Sequence, residues 1–91
     1  SMVIDTYIEV KKDSFVIGKT IRDIFWPNNL FVLSITHHEN VPIVDSGGSK
    51  TIHELDTLHI RFETYDLNET LDELFNLVGK QELKLTKSYK I

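Results

Sequence analysis

The chain has 91 residues, a length typical of one small domain, with a formal net charge of −4 and no cysteine. The absence of cysteine excludes disulfides and thiolate metal sites, and the acidic charge argues against a nucleic-acid-binding protein, which needs clustered lysine and arginine. No apolar run approaches the roughly 20 residues that a membrane span needs. Ser1 and Met2 have the pattern of a cloning remnant followed by an introduced start, which predicts a piece of a longer protein.

The first quarter of the chain predicts a strand and a short helix. Residues 3–10 form a β-rich run with partial alternation, which is typical of a strand. Ile17, Ile21, Ile24 and Phe25 then recur at positions i, i+4, i+7 and i+8, which predicts two turns of helix with one apolar face. The Pro-Asn-Asn sequence that follows ends this helix, because the residue before a proline is disfavoured in helical geometry.

Two more strands are predicted in the middle of the chain. Residues 30–35, Leu-Phe-Val-Leu-Ser-Ile, form an almost continuous apolar run, which predicts a well-buried strand. After a polar Thr-His-His-Glu-Asn turn, residues 41–44 predict a second, shorter strand. This strand is expected at an edge of the sheet, because Pro42 has no N–H to donate.

The last part of the domain predicts a strand followed by a helix. Residues 57–64 alternate between apolar and polar side chains, as in a half-buried strand. Asp66 is expected to cap a helix, with Glu69 completing a capping box and Gly79 ending the helix. The apolar face of this helix is Leu67, Leu71, Leu74, Phe75 and Val78. The predicted order is β-α-β-β-β-α, an α+β fold with a mostly antiparallel sheet and helices packed on it.

The last twelve residues, 80–91, differ in charge from the rest. They hold the lysines Lys80, Lys84, Lys87 and Lys90 against the single acid Glu82. This basic tail is predicted either to add a strand or to form a solvated linker. The sequence thus divides into residues 1–2, a domain over residues 3–79 and a tail over residues 80–91.

The sequence Gly18-Lys19-Thr20 has the same letters as the end of a phosphate-binding loop. Such a loop needs a glycine five positions earlier, and Asp13 stands there instead. The bulky residues 15–17 also resist the backbone geometry that gathers N–H groups around an anion. A nucleotide site is therefore not expected, and Gly18 predicts a tight turn or a close approach at the start of the first helix.

Four histidines lie within 23 residues of one another: His37, His38, His53 and His59. The zinc-protease signature needs two histidines at i and i+4, whereas those of His-Glu-Leu-Asp-Thr-Leu-His are six apart. A cross-strand metal site from His38 and His59, helped by Glu39, is one hypothesis. The other is that these are surface imidazoles. No nucleophile–base constellation stands out, so an enzyme is not expected.

Three stretches together resemble the TrkA-C domain, the C-terminal half of the RCK regulatory unit of potassium transport proteins. Residues 14–24 are similar to the Gly-Lys-containing opening of that domain, and residues 30–44 to its strand-turn-strand. Residues 49–62 are similar to the segment that carries a Gly-Asp pair in the family. The family's Gly-Asp becomes Leu55-Asp56 here, and its basic turn becomes His37-His38. The resemblance covers about residues 8–78.

The resemblance implies a non-catalytic regulatory domain on the cytoplasmic face of the membrane, dimeric and covalently linked to a channel or transporter. The stretch Trp-Pro-Asn-Asn-Leu-Phe-Val-Leu-Ser-Ile is similar to TrkA-C domains of bacterial ClC-type chloride channels, which are the preferred parent. The alternatives are the C-terminal RCK half of a potassium channel or potassium-uptake regulator, and a metal- or small-molecule-binding module that uses surface histidines.

In this family, the first helix leads into the dimer and ligand surface. The corresponding residues here are Asp23, Ile24, Phe25, Trp26, Asn28 and Phe31. For Trp26 the alternative is a role in core packing. Family members that bind cyclic di-AMP carry Asp-Ile-Arg-Ala, but Phe25 and Trp26 replace the Arg and Ala, so the charged donor for a phosphate is missing. No cofactor is expected, and nicotinamide binding does not carry over.

Overall fold

The computed structural model describes residues 1–83 and 85–91, and Lys84 of the basic tail lies outside the described residues. The elements are strand β1 (Met2–Glu9), a 3-10 turn (Ile21–Asp23), β2 (Leu30–Thr36), β3 (Thr57–Thr64), helix α1 (Leu67–Val78) and β4 (Leu85–Lys90). The strands form one antiparallel sheet in the order β2-β3-β1-β4. The predicted α+β class is confirmed, whereas the order of elements differs from the prediction.

The core lies on one face of the sheet. Alternation in β1 and β3 sends every second side chain to this face, where Ile4, Ile8, Leu58, Ile60 and Phe62 are buried. Helix α1 adds Leu74 and Val78 to the same cluster. The opposite face of the sheet carries the charged residues and the histidine of these two strands.

Helix α1 begins and ends where its capping residues predict. The carboxylate of Asp66 accepts a hydrogen bond from the Glu69 N–H at 3.2 Å, and the Gly79 N–H donates to the Phe75 carbonyl at 2.9 Å. The predicted capping box is half formed, because the Asp66 N–H donates to the Thr64 hydroxyl rather than to the Glu69 side chain. The last residue of β3 thus supplies the second bond.

The predicted first helix is wrong, since only the 3-10 turn Ile21–Asp23 is helical there. Gly18 has a φ of 85° and donates its N–H to the Ile52 carbonyl at 2.8 Å. The Ile52 N–H donates back to the Lys19 carbonyl at 2.8 Å. The backbone groups that an α-helix would pair locally are therefore paired with a distant segment, and Gly18 serves a tight turn.

The apolar face predicted for that helix is partly correct. Ile21 and Ile24 are buried, and Ile17 packs against the core. Phe25, by contrast, is 98% exposed, so its predicted core position is wrong. The backbone at Ile24 is extended (φ −94°, ψ 135°), so the next side chain leaves the face that a helix would have continued.

Residues 41–44 do not form a strand. Ile43 makes a single bridge to Ile35, with reciprocal N–H to carbonyl bonds of 2.9 and 2.8 Å. In the tail, β4 pairs with β1 along the edge of the sheet. Over residues 1–83 and 85–91, no helix is both long and apolar enough to span a bilayer.

Candidate functional site

A tight turn before β3 fixes a buried carboxylate, that of Asp56. The Asp56 N–H donates to the His53 carbonyl at 3.2 Å, and the Asp56 carboxylate accepts the His53 N–H at 2.8 Å. Leu55 sits between them with a φ of 66°, and the Leu55 and Asp56 backbone groups bond to Val10, the residue directly after β1. Bonds within the turn and bonds to Val10 both hold this backbone. The fully buried carboxylate of Asp56 therefore has a defined position.

His37 joins this carboxylate from the other side. It follows the last residue of β2, and its Nδ1 lies 2.8 Å from Asp56 Oδ1. The rings of His37 and His53 meet edge to face, with centroids 5.4 Å apart. We call His37, His53 and Asp56 the histidine cluster; a ligand atom from each lies within 4.8 Å of the others.

The histidine cluster opens onto a cavity of about 280 Å³ that is lined by His37, His38, His53 and Asp56. Imidazole nitrogens and a carboxylate are ligands that divalent transition metals accept. A buried carboxylate beside a histidine also fixes the orientation of the imidazole ring. The residues that line this cavity are therefore suited to bind a cation.

The second polar group, which we call the outer-face network, lies on the side of the sheet away from the core. His59 Nε2 is 2.7 Å from one oxygen of Asp5, and Arg61 donates two N–H bonds of 3.0 and 2.8 Å to the other oxygen. The Tyr7 ring stacks on His59 at 4.4 Å. The hydrogen bond from His59, reinforced by Arg61, lowers the pKa of Asp5 although burial acts in the opposite direction.

The predicted metal pair, His38 and His59, is not part of the group of potential ligands that the described residues bring together. His59 lies in β3 and is engaged by Asp5 on the outer face. His38 lies in the turn after β2, with a φ of 51°, and lines the cavity of the histidine cluster. His37 and His53 instead meet through Asp56, because the two turns that carry them lie at the same end of neighbouring strands.

The residues predicted for a ligand or dimer surface separate into two groups. Asp23, Phe25 and Asn28 are exposed, and Phe31 is 64% exposed on β2. Ile24 is buried in the core, so it is unavailable to a ligand. Trp26 packs against the core and donates its indole N–H to the Ile21 carbonyl at 2.9 Å, in line with the packing interpretation.

Asn28 lines a cavity of about 290 Å³ at the start of α1. Four carboxylates share this lining: Glu63, Asp66, Glu69 and Glu73. Their negative charge opposes binding of a phosphate-containing ligand such as cyclic di-AMP. Phe31 lines a second cavity of about 210 Å³, where Arg61 contributes a positive charge and Val3 an apolar wall.

Sequence reasoning missed Asp5, Arg61 and the pairing of His37 with His53. A partial signal existed for Asp5 and Arg61, because each occupies a polar position of an alternating strand. Opposite charges at such positions can meet on the outer face when the two strands pair, as Asp5 and Arg61 do. Asp56 was marked only by the resemblance, and His37 by the resemblance and as one of the four clustered histidines. Their contact joins residues 19 positions apart across two turns, which no local pattern reports.

The chain matches no protein-family model, and no curated protein matches it at a significant level. Three features of the described residues then bear on function. They are the histidine cluster with its cavity, the outer-face network on the sheet, and the exposed aromatic side chains Phe25 and Phe31.

Proposed function

We propose that this chain is a non-catalytic regulatory domain that forms a homodimer and is covalently linked to a membrane transport protein, with a ClC-type chloride channel as the preferred parent. It would work at the cytoplasmic face of the membrane. Its mechanism would be a difference in affinity for a ligand or partner between two arrangements of the dimer.

The observation that carries this proposal is the way the three TrkA-C-like stretches meet. Gly18 of the first stretch and Ile52 of the third are joined by a 2.8 Å hydrogen bond. His37 of the second stretch reaches Asp56 of the third. Leu55 also has a φ of 66° at the position where the family carries glycine, the residue suited to that conformation. These contacts bring the three stretches together around residues 52–56 and thereby support the proposal.

Phe25 and Phe31 are the expected centre of the dimer interface. An almost fully exposed phenylalanine is costly to hydrate, and aromatic side chains are enriched at protein–protein interfaces. A two-fold dimer uses the same patch on both subunits, so each phenylalanine contributes to the interface once from each subunit. Asp23 and Asn28 would form part of the polar rim.

Sedimentation velocity over a concentration series tests the dimer. We expect a monomer–dimer equilibrium whose dissociation constant rises at least about tenfold in Phe25→Ser, because a central interface aromatic contributes more than about 1.4 kcal/mol. Val41→Ser is the matched control, since Val41 is an apolar side chain that is 80% exposed outside the proposed interface. A wild-type chain that stays monomeric at high concentration would exclude the proposal.

The link to a transport protein has a separate test, the reading frame upstream of Val3 in the parent gene. A series of long apolar segments there would support a membrane channel. A dinucleotide-binding segment with alternating strands and helices would favour the potassium-uptake alternative. An upstream sequence of neither kind would contradict both.

A further inference from the structure

The histidine cluster has the composition and geometry of a metal site. Three side chains of two types, imidazole and carboxylate, bring ligand atoms within 4.8 Å of one another. We propose that His37, His53 and Asp56 bind a divalent transition-metal ion of the zinc type, with one coordination position open to the cavity beside His38. This inference does not depend on the proposed dimer.

The donor set selects the class of cation. Two imidazoles and one carboxylate suit Zn²⁺ and its neighbours in the transition series, whereas Mg²⁺ and Ca²⁺ prefer oxygen ligands throughout. Three protein ligands with a fourth position left for water or another molecule form an arrangement found at open zinc sites. His38 lines the same cavity, so it is placed to contact whatever occupies that fourth position.

The pair formed by His37 and Asp56 requires only a small rearrangement, and the other donor pairs, which lie within 4.8 Å, would have to close by up to about 1.5 Å. Donor atoms around a tetrahedral zinc ion lie roughly 3.3 Å apart, given metal–ligand bonds of about 2.0 to 2.1 Å. His37 Nδ1 and Asp56 Oδ1 lie 2.8 Å apart, which is the distance of a hydrogen bond, so the ion would replace the shared proton and move the two atoms apart by about half an ångström. The more exposed histidines can make this movement while the turn holds Asp56 in place.

The charge of the cluster also favours a cation. The fully buried Asp56 carboxylate accepts a hydrogen bond from the His53 backbone N–H and is paired with the ring of His37. A buried carboxylate is costly unless it is paired. A divalent ion bound to it would compensate its charge directly. Among the residues that the structure describes, no lysine or arginine lines the cavity to compete for this role.

The test uses the full chain without an affinity tag, because a polyhistidine tag would bind the same ions. Zn²⁺ alone is titrated into the protein by calorimetry, and Co²⁺ alone is followed by its visible absorption, which reports tetrahedral nitrogen and oxygen coordination. We expect one ion per chain bound at micromolar concentration, and a rise of the melting temperature with Zn²⁺.

Three variants locate the ion. His53→Ala should weaken Zn²⁺ binding at least about tenfold, and it should keep the fold because the backbone N–H of His53, not its exposed side chain, donates to Asp56. His37→Ala should weaken binding similarly. His59→Gln is the control; its amide can still donate to Asp5, and its affinity for Zn²⁺ should equal that of the wild type. Far-ultraviolet circular dichroism checks that each variant is folded.

The proposal is overturned by the absence of heat at micromolar Zn²⁺, or by a folded His53→Ala variant that binds as tightly as the wild type. It is also overturned if His59→Gln is the variant that loses binding, because the ion would then lie on the outer face. A failed dimerisation test would leave the metal site untouched, since Phe25 is outside the residues that line the cavity.

Discussion

His37 Nδ1 and Asp56 Oδ1 lie 2.8 Å apart and thereby join the turn after β2 to the turn before β3. The other carboxylate oxygen of Asp56 holds the His53 N–H. One buried side chain thus fixes two loops at the same end of the sheet.

Replacing Asp56 should lower the free energy of unfolding in proportion to the bonds lost. Asp56→Ala removes both and should cost about 2 to 3 kcal/mol, measured by urea denaturation without metal. Asp56→Asn should cost at least about 1 kcal/mol less, because an amide can still accept the His53 N–H and donate to His37 in its other tautomer. Equal losses in the two variants would show that these bonds do not hold the turn.

Leu55 has a φ of 66°, a conformation that costs a non-glycine residue about 1 kcal/mol or more. Comparison of Leu55→Gly with Leu55→Ala isolates this cost, because both variants remove the same side chain. We expect the glycine variant to unfold at the higher urea concentration, with a difference of about 1 kcal/mol. The usual order is the reverse, since glycine is normally less stable than alanine by about 0.5 to 1 kcal/mol. If Leu55→Ala were more stable than Leu55→Gly, backbone strain at position 55 would be refuted.

Gly47 and Gly48 are adjacent, yet they should respond differently to a methyl group. A Cβ added to Gly48 would lie 2.8 Å from the Arg22 Cβ and 3.0 Å from the Arg22 nitrogen, at a φ of 67°. A Cβ added to Gly47 would have no heavy atom within 4 Å. Gly48→Ala should therefore cost more than about 1.5 kcal/mol in thermal or urea denaturation, and Gly47→Ala less than about 0.5. Similar values for both would mean that the 3-10 turn does not press on this loop.

Asp5 gives the stability a specific dependence on acid pH. Its pKa in the folded chain is lowered from the ordinary 3.8, first by the His59 hydrogen bond and then by Arg61. The unfolded chain therefore takes up a proton at Asp5 more readily than the folded chain does. The stabilisation from Asp5 is complete well above pH 3.8 and is lost as the pH falls from 3.8 through the lower folded pKa.

Asp5→Asn tests this dependence, because asparagine keeps the shape of the side chain without the charge. At neutral pH the variant should be the less stable protein. The difference between the two proteins should shrink as urea denaturation is repeated at values falling from about pH 5 to about pH 2. Glu54→Gln is a control at an exposed carboxylate. A difference that stays constant over this range would rule out Asp5 as its source.

Local signals predicted β3 and α1 at their observed bounds. The alternation of residues 57–64 belongs to a strand whose core face is buried, and the Asp66 cap and Gly79 stop lie next to the helix that they delimit. Such patterns depend on neighbours in the sequence, so they can be interpreted without the fold.

The predictions that failed depend on distant partners. Ile17, Ile21 and Ile24 have helical spacing, but they lie in an irregular segment whose backbone bonds to Ile52. No local sequence pattern in that segment predicts this bond. The histidine cluster has the same origin, since β2 and β3 must pair before His37 reaches Asp56. The sequence marked the chemistry of the four histidines, but it could not tell which of them meet.

The order β2-β3-β1-β4 has a consequence for synthesis of the protein. Of the described strands, β1 leaves the ribosome first, yet its two neighbours in the sheet are β3 and β4, which follow about 50 and 80 residues later. Both edges of β1 therefore lack their partners until β3 has been made, and one edge lacks its partner until β4 has been made. A nascent chain stalled before residue 57 therefore has no partner for β1 among its own described strands other than β2, which the finished sheet keeps apart from it.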